Sequence, residues 1–82
     1  MKINEIKNIL DYARDCGRLV TITLISGQVS HINFSKKTKK FTATDDVILD
    51  VDGHLVIKYD TDGSVDYIDS DSIIRIFSKE CV

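Results

Sequence analysis

The sequence predicts a small α+β, mainly β protein in which one N-terminal helix precedes a strongly bent antiparallel sheet of five or six strands. Three observations support this: apolar residues at helical spacing near the N-terminus, two-residue alternation after Gly17, and Gly-containing turn dipeptides between the later apolar runs. In 82 residues a flat sheet would leave unpaired edges. We therefore expect a sheet that closes on itself as a small barrel, in a single domain spanning residues 1–82.

The helix is expected at about residues 4–15. Ile6, Leu10 and Ala13 recur at the helical period. Asn4 is the expected N-cap, and Gly17 follows the helix end, where a positive φ is favoured. The apolar face should cover one open end of the barrel and pack against strand residues Ile22, Leu24, Ile57 and Ile76.

The strands are expected at about residues 18–34 and 47–77. Val20, Ile22 and Leu24 alternate with threonines, which is typical of a half-buried strand. Ser26-Gly27 should then turn the chain into a second strand, at residues 28–34.

The later strands should follow as a meander. They are expected at residues 47–51, 55–59, 65–68 and 73–77. Asp52-Gly53 and Asp62-Gly63 are standard hairpin turn dipeptides between three of them. The polar residues 69–72 should form one tight turn before the closing strand.

Composition favours a cytoplasmic protein. No apolar run approaches the ~20 residues that span a bilayer, and the N-terminus lacks the apolar core of a signal peptide. Cys16 and Cys81 have no zinc-ligand spacing and are expected to be reduced thiols. We expect neither a metal site nor a cofactor.

Charge is divided by position along the chain. Residues 1–40 carry eight basic and three acidic side chains, a net charge of +5, whereas residues 41–82 carry three basic and ten acidic ones, a net charge of −7. The overall charge of −2 hides this polarity. Such an order predicts one basic and one acidic surface, which favours electrostatic docking.

Two segments carry a resemblance to a known fold. Residues 20–27, VTITLISG, look like a first strand and its turn, and residues 65–77, VDYIDSDSIIRIF, look like a strand, a one-turn break and a closing strand. Together with the preceding helix, this pattern resembles the Sm-like (SH3-like) small β-barrel superfamily. The RNA-binding ring signatures of that superfamily, F-D-x-x-M-N and Y-K-H, do not occur here.

Within that superfamily the chain resembles the Rho-binding antiterminator (Rof-like) group. The residues that carry this likeness are Asp71, Ile73, Phe77 and Ser78, which follow the closing pattern D-x-I-x-x-F-S with one extra residue. The resemblance implies an inhibitor of transcription termination that binds the Rho factor, its acidic surface meeting a basic nucleic-acid site.

Five aspartates form the first candidate site. They lie in or beside two turns that we expect to be close together: Asp60, Asp62, Asp66, Asp69 and Asp71. Each has an ordinary explanation, because aspartate caps backbone donors in turns. As a group they repel one another, which favours a basic protein partner. We therefore expect a non-enzymatic module that docks on a basic protein.

A lysine-rich loop is the alternative site. Its residues are Lys36, Lys37, Lys39, Lys40 and Phe41. Lysines neutralise phosphates and aromatic faces stack on bases, so an oligomeric binder of RNA or a small nucleotide is the second hypothesis. The ordinary interpretation is a solvated hairpin loop with Phe34 and Phe41 in the core. A purely structural homo-oligomer, paired through strand edges, is the third hypothesis.

Catalysis has no residues to support it. His31 should lie on a strand face and His54 in a turn. Neither histidine has a serine, cysteine or carboxylate at a spacing typical of a catalytic pair. We therefore expect no enzyme activity and no catalytic residue.

Overall fold

The computed structural model describes residues 1–35 and 44–80. It contains one α-helix, one short 3₁₀ helix and six antiparallel strands in two three-stranded sheets. In chain order the elements are α1 (Ile3–Asp15), β1 (Leu19–Leu24), β2 (Val29–Asn33), β3 (Asp46–Leu49), β4 (His54–Lys58), β5 (Val65–Asp69), the 3₁₀ helix (Ser70–Ser72) and β6 (Ile73–Lys79). The α+β class and the helix are confirmed.

Helix α1 begins one residue earlier than predicted. Lys2 is the N-cap, without a side-chain capping bond, so Asn4 lies inside the first turn and the predicted cap is wrong. The C-terminal end is as expected: Gly17 has a φ of +64°, and the next amide, of Arg18, donates to the carbonyl of Ala13 at 2.9 Å. This is the bond pattern in which a glycine terminates a helix.

Sheet A has the strand order β2-β1-β6. The hairpin at Ser26-Gly27 pairs Thr23 with Val29, and β6 then pairs along the other side of β1. A register shift beside Leu24 places an additional residue on β6. Such a bulge lets Ile73 and Ile76, three positions apart, both turn towards the core.

Sheet B has the strand order β3-β4-β5. Gly53 and Gly63 have positive φ values in its two turns, as the turn dipeptides predicted. The register sets Val47 opposite Ile57, and Leu55 opposite Ile68, on the face that is buried. The 3₁₀ helix then leads from sheet B back to β6 in sheet A, where a polar turn was expected.

One hydrophobic cluster holds the structure together. Helix residues Ile6, Leu10 and Ala13 belong to it, as predicted. Strand residues from both sheets complete it: Val20, Ile22, Ile32, Val47, Leu55, Ile57, Ile68 and Ile73, with Phe34 beside β2. Leu24 and Ile76 pack against it while partly exposed. The core therefore lies among the helix and both sheets, and closure of the sheets into a barrel stays a prediction.

Asp45 connects the two sheets directly. Its side chain is buried, and its Oδ2 accepts the amide of Asn33, at the end of β2, at 2.8 Å. Its Oδ1 accepts the amide of Asp60, in the turn after β4, at 2.9 Å. One carboxylate thus fixes the end of sheet A against a turn of sheet B.

Candidate partner-binding surfaces

The five predicted aspartates do not form one cluster. Asp60 and Asp62 lie in the turn that precedes β5, whereas Asp69 and Asp71 lie where β5 ends. The expected closeness of the two turns is wrong, because one strand separates them, and the four steps from Val65 to Asp69 span about 13 Å. The acidic residues therefore occupy opposite ends of sheet B.

At the first end, Asp62 and Asp66 have local hydrogen-bonding roles. Asp62 Oδ1 accepts both the hydroxyl and the amide of Ser64, at 2.6 and 2.9 Å, and the hydroxyl bond chiefly lowers the pKa of that carboxyl. Asp66 is half-buried, 3.5 Å from the hydroxyl of Tyr59. Burial raises the pKa of the Tyr59 phenol, so the phenol stays protonated and can donate to Asp66.

At the second end, the turn after β3 adds two carboxylates that sequence reasoning did not connect with this site. Asp50 and Asp52 lie in that turn, and β4 begins with His54 opposite Asp69. Asp50 Oδ1 accepts the amide of His54 at 2.9 Å, and this bond chiefly lowers the pKa of the Asp50 carboxyl. With Asp71 in the 3₁₀ helix, four carboxylates meet here.

An apolar row crosses the outer face of sheet B. It consists of Ile48, Val56 and Tyr67, which are directly opposite one another on β3, β4 and β5. Ile48 is 60% exposed and Tyr67 is 70% exposed. Cross-strand neighbours of this kind lie about 5 Å apart, so the three side chains form one continuous patch.

Charged residues lie on both sides of the apolar row. One neighbouring row has Asp46 opposite Lys58, followed by Val65, and the other has His54 opposite Asp69. The outer face of sheet B therefore has an apolar centre, one border in which Asp46 is balanced by Lys58, and an acidic border at Asp69. The predicted turn would not have revealed this arrangement, because a two-residue turn at Asp52-Gly53 would place Ile48 opposite Ile57, whereas the observed turn between Asp50 and His54 is one residue longer.

Helix α1 lies beside the edge of β3 that faces away from β4, with a pocket between them, and Arg14 reaches that edge. The guanidinium of Arg14 donates to the carbonyl of Val47 and lies 3.9 Å from Asp46 Oδ1. The same guanidinium lies 5.5 Å from the ring centre of Phe34. This side of β3 is therefore less suited to pairing with another strand than a bare edge would be.

The remaining predicted residues have varied positions. Lys36, Lys37, Lys39, Lys40 and Phe41 lie outside the described residues, as does Cys81. Phe34 is buried, which confirms its ordinary interpretation as a core residue. His31 lies on β2 as expected, whereas His54 is the first residue of β4 and not part of the turn. Cys16 is an exposed thiol at the end of α1.

Two features are absent from residues 1–35 and 44–80. Over these residues, no group of three or more histidine, cysteine or carboxylate side chains is placed to hold a metal ion. In the same part of the chain, no helix has both the length and the apolar character needed to cross a membrane.

Fold and surface together define a small α+β protein with one helix, two three-stranded antiparallel sheets and an exposed apolar row bordered by carboxylates. Comparison with known proteins adds no relative: no protein-family model matches the chain, and neither a curated protein nor a solved structure is similar enough to match.

Proposed function

We propose that this protein is a non-enzymatic binding module that docks the outer face of sheet B on a basic surface of a partner protein. The observation that carries the proposal is the apolar row, Ile48, Val56 and Tyr67, with its acidic border. Single exposed apolar side chains are ordinary, but an apolar patch with a polar border is typical of interaction sites.

The aromatic residue of the row would supply much of the binding energy. Tyr67 is 70% exposed, lies on β5 and has an apolar ring with a polar hydroxyl. Tyrosine is enriched among the interface residues whose truncation costs about 2 kcal/mol or more. Because β-strands hold the ring in place, little conformational entropy is lost when a partner covers it.

The carboxylates would select the sign of the partner's charge. Asp46 and Asp69 border the apolar row directly, and Asp50 and Asp52 lie beside Asp69. Charges at the border of an interface raise the association rate of an oppositely charged partner and discriminate against others. The partner therefore presents lysine or arginine side chains around an apolar pocket.

The sequence resemblance supports a more specific form of the proposal. The two sheets would belong to an Sm-like barrel. The basic partner would be a nucleic-acid-binding factor such as Rho. The acidic border would then occupy the partner's nucleic-acid site, and binding would inhibit it in the cytoplasm.

The test compares variants on the two outer faces. Immobilised protein captures partners from a lysate, and purified Rho factor is assayed separately as a defined candidate. Tyr67→Ala combined with Asp69→Lys should lower capture of any specific partner at least 10-fold. The matched control is Phe77→Ala combined with Lys79→Asp, on sheet A, which should capture as the wild type does. Circular dichroism checks that both variants are folded.

A charge-reversal experiment separates the two acidic ends. Changing Asp62 and Asp66 to lysine alters the end at which those carboxylates bond locally, whereas Asp69→Lys alters the border of the apolar row. We expect Asp69→Lys to have the larger effect on capture. Equal capture by the wild type and the Tyr67→Ala, Asp69→Lys variant would refute the proposal.

A further inference from the structure

The outer face of sheet A differs in chemistry from that of sheet B. Register places nine residues on it in three cross-strand rows: Val29, Thr23, Arg75; His31, Thr21, Phe77; and Asn33, Leu19, Lys79. None of the strands of sheet A contains an aspartate or glutamate, although the chain has 13 of them. Arg75 and Lys79 are exposed there, so the face is basic.

Two aromatic side chains share the middle row of this face. Phe77 is 46% exposed, and His31, also exposed, lies on the far side of Thr21. Because β1 lies between β2 and β6 and neighbouring strands are about 4.8 Å apart, the Cα atoms of His31 and Phe77 are about 10 Å apart. The Thr21 hydroxyl lies 3.2 Å from the His31 ring nitrogen Nδ1, which orients the imidazole.

A cation is already associated with the exposed phenyl ring. The guanidinium carbon of Arg75 lies 5.5 Å from the ring centre of Phe77. The bulge in β6 precedes Arg75, so Arg75, Phe77 and Lys79 follow one another on the outer side of the strand. The phenyl ring is thus partly exposed with the Arg75 guanidinium over one of its faces, and Lys79 follows on the same side of the strand.

The carboxylates of sheet B do not cancel this charge, and Glu80, which follows Lys79, lies 3.9 Å from the guanidinium of Arg18. Asp46 and Asp69 lie on the outer face of sheet B, across the core from sheet A. Packed sheets are about 10 Å apart, and the Debye length at physiological ionic strength is about 8 Å. A ligand on sheet A therefore experiences Arg75 and Lys79 more strongly than the net charge of −2.

We propose that the outer face of sheet A binds single-stranded nucleic acid. Phe77 and His31 stack on bases, and Arg75 and Lys79 contact phosphates. Thr23 offers a hydrogen bond to a sugar or a base edge. Within residues 1–35 and 44–80 the face is formed by strands alone, and such a flat surface suits splayed single strands and not the groove of a duplex. An acidic protein would use the cations but has less need of the exposed phenyl ring.

The experiment measures binding of a fluorescent oligouridylate of about ten nucleotides by polarisation, a length suited to a single small sheet surface. At low salt the wild type should bind, and affinity should fall as salt rises because phosphate contacts release counterions. Phe77→Ala should weaken binding about 5- to 150-fold, the effect of losing one stacked base. Lys79→Ser should lower the salt slope by about 0.7.

The matched controls lie on the other sheet. Tyr67→Ala and Lys58→Ser change an exposed aromatic and an exposed lysine on the outer face of sheet B, and should bind the oligonucleotide as the wild type does. These variants also keep this proposal separate from the docking proposal, which depends on Tyr67. Thermal denaturation confirms that each variant is folded, and Arg75→Gln provides a second change that leaves the ring in place.

Three outcomes would overturn the proposal. The first is absence of binding by the wild type at low salt. The second is binding that survives Phe77→Ala and Lys79→Ser together, which would locate the nucleic-acid site elsewhere on the chain. The third is stronger binding of an acidic peptide than of the oligonucleotide with no effect of Phe77→Ala, which would identify a surface for acidic proteins.

Discussion

Replacing Asp45 by alanine tests how the two sheets are held together. The carboxylate is 6% exposed and accepts the amides of Asn33 and Asp60 at 2.8 and 2.9 Å. A hydrogen bond to a charged group contributes about 1.5 to 3 kcal/mol, and a buried donor without a partner costs a similar amount. Removing the carboxylate also removes its own desolvation cost. We therefore expect Asp45→Ala to lower the free energy of unfolding by about 2 to 4 kcal/mol.

That loss is large for so small a protein. At about 0.05 to 0.15 kcal/mol per residue, an 82-residue domain has roughly 4 to 12 kcal/mol of stability. With a urea m-value near 1 kcal/mol/M, the midpoint should fall by about 2 M or more. Urea unfolding followed by circular dichroism measures this shift.

The neighbouring residue supplies the control for Asp45. Asp46 has the same side chain, but that side chain is 64% exposed and bonds the amide of the next residue. Asp46→Ala should therefore cost less than about 0.5 kcal/mol. Asp45→Asn keeps one acceptor oxygen and should lie between the two alanine variants. If Asp45→Ala and Asp46→Ala unfolded at the same urea concentration, the link between the sheets would contribute nothing and the reasoning would be refuted.

Two further perturbations address the turns of sheet B. Gly53→Ala should lower the melting temperature more than Gly27→Ala. Both glycines have positive φ, but only at Gly53 would the new Cβ lie 3.1 Å from the Ile3 side chain. Equal shifts in melting temperature would contradict this reasoning. The pKa of the Asp50 carboxyl is lowered in the folded protein, chiefly by the hydrogen bond from the His54 amide. The ionised carboxylate therefore stabilises the fold fully above the ordinary pKa of 3.8, and this stability is lost as the pH falls through the lower folded pKa. Between about pH 5 and about pH 2, the urea midpoint of Asp50→Asn should therefore fall less than that of the wild type. An equal fall in both proteins would show that the Asp50 carboxylate does not contribute to the acid sensitivity of the fold.

The sequence predicted the elements well because each has a local signal. The helical period of Ile6 and Leu10, and the Gly residues of the turns, are properties of short segments, and the observed bounds differ from the predicted ones by one or two residues at most ends. Such signals act within a few residues, so they depend little on the rest of the chain.

Features that depend on tertiary structure were harder to predict. The bulge that brings Ile76 to the core side of β6 follows from pairing with β1, about 50 residues earlier in the chain. The role of Asp45 depends on the meeting of β2 with a turn of sheet B, and nothing in its local sequence marks it as buried. Long-range pairing decides both, and a single sequence does not display it.

The candidate site, too, combines features that local sequence predicts with features that depend on strand pairing. The acidic character of the second half of the chain was evident, but counting Asp62 and Asp69 as one cluster overlooked that β5 lies between them. The apolar row depends on the register, which the turn dipeptides did not fix. Val56 faces Tyr67 across a four-residue turn at residues 60–63, whereas a two-residue turn at Asp62-Gly63 would place Val56 opposite Asp69.

Topology converts the charge order of the sequence into two different faces. Sheet B is built only from β3, β4 and β5, all in the acidic half of the chain, and sheet A takes β1 and β2 from the basic half. The exception is β6, which crosses back to sheet A and carries Arg75 and Lys79, two of the three basic residues of the acidic half. Because the two faces lie on opposite sides of one core, the two proposed ligands, a basic protein and a nucleic-acid strand, would not compete for the same surface of this protein.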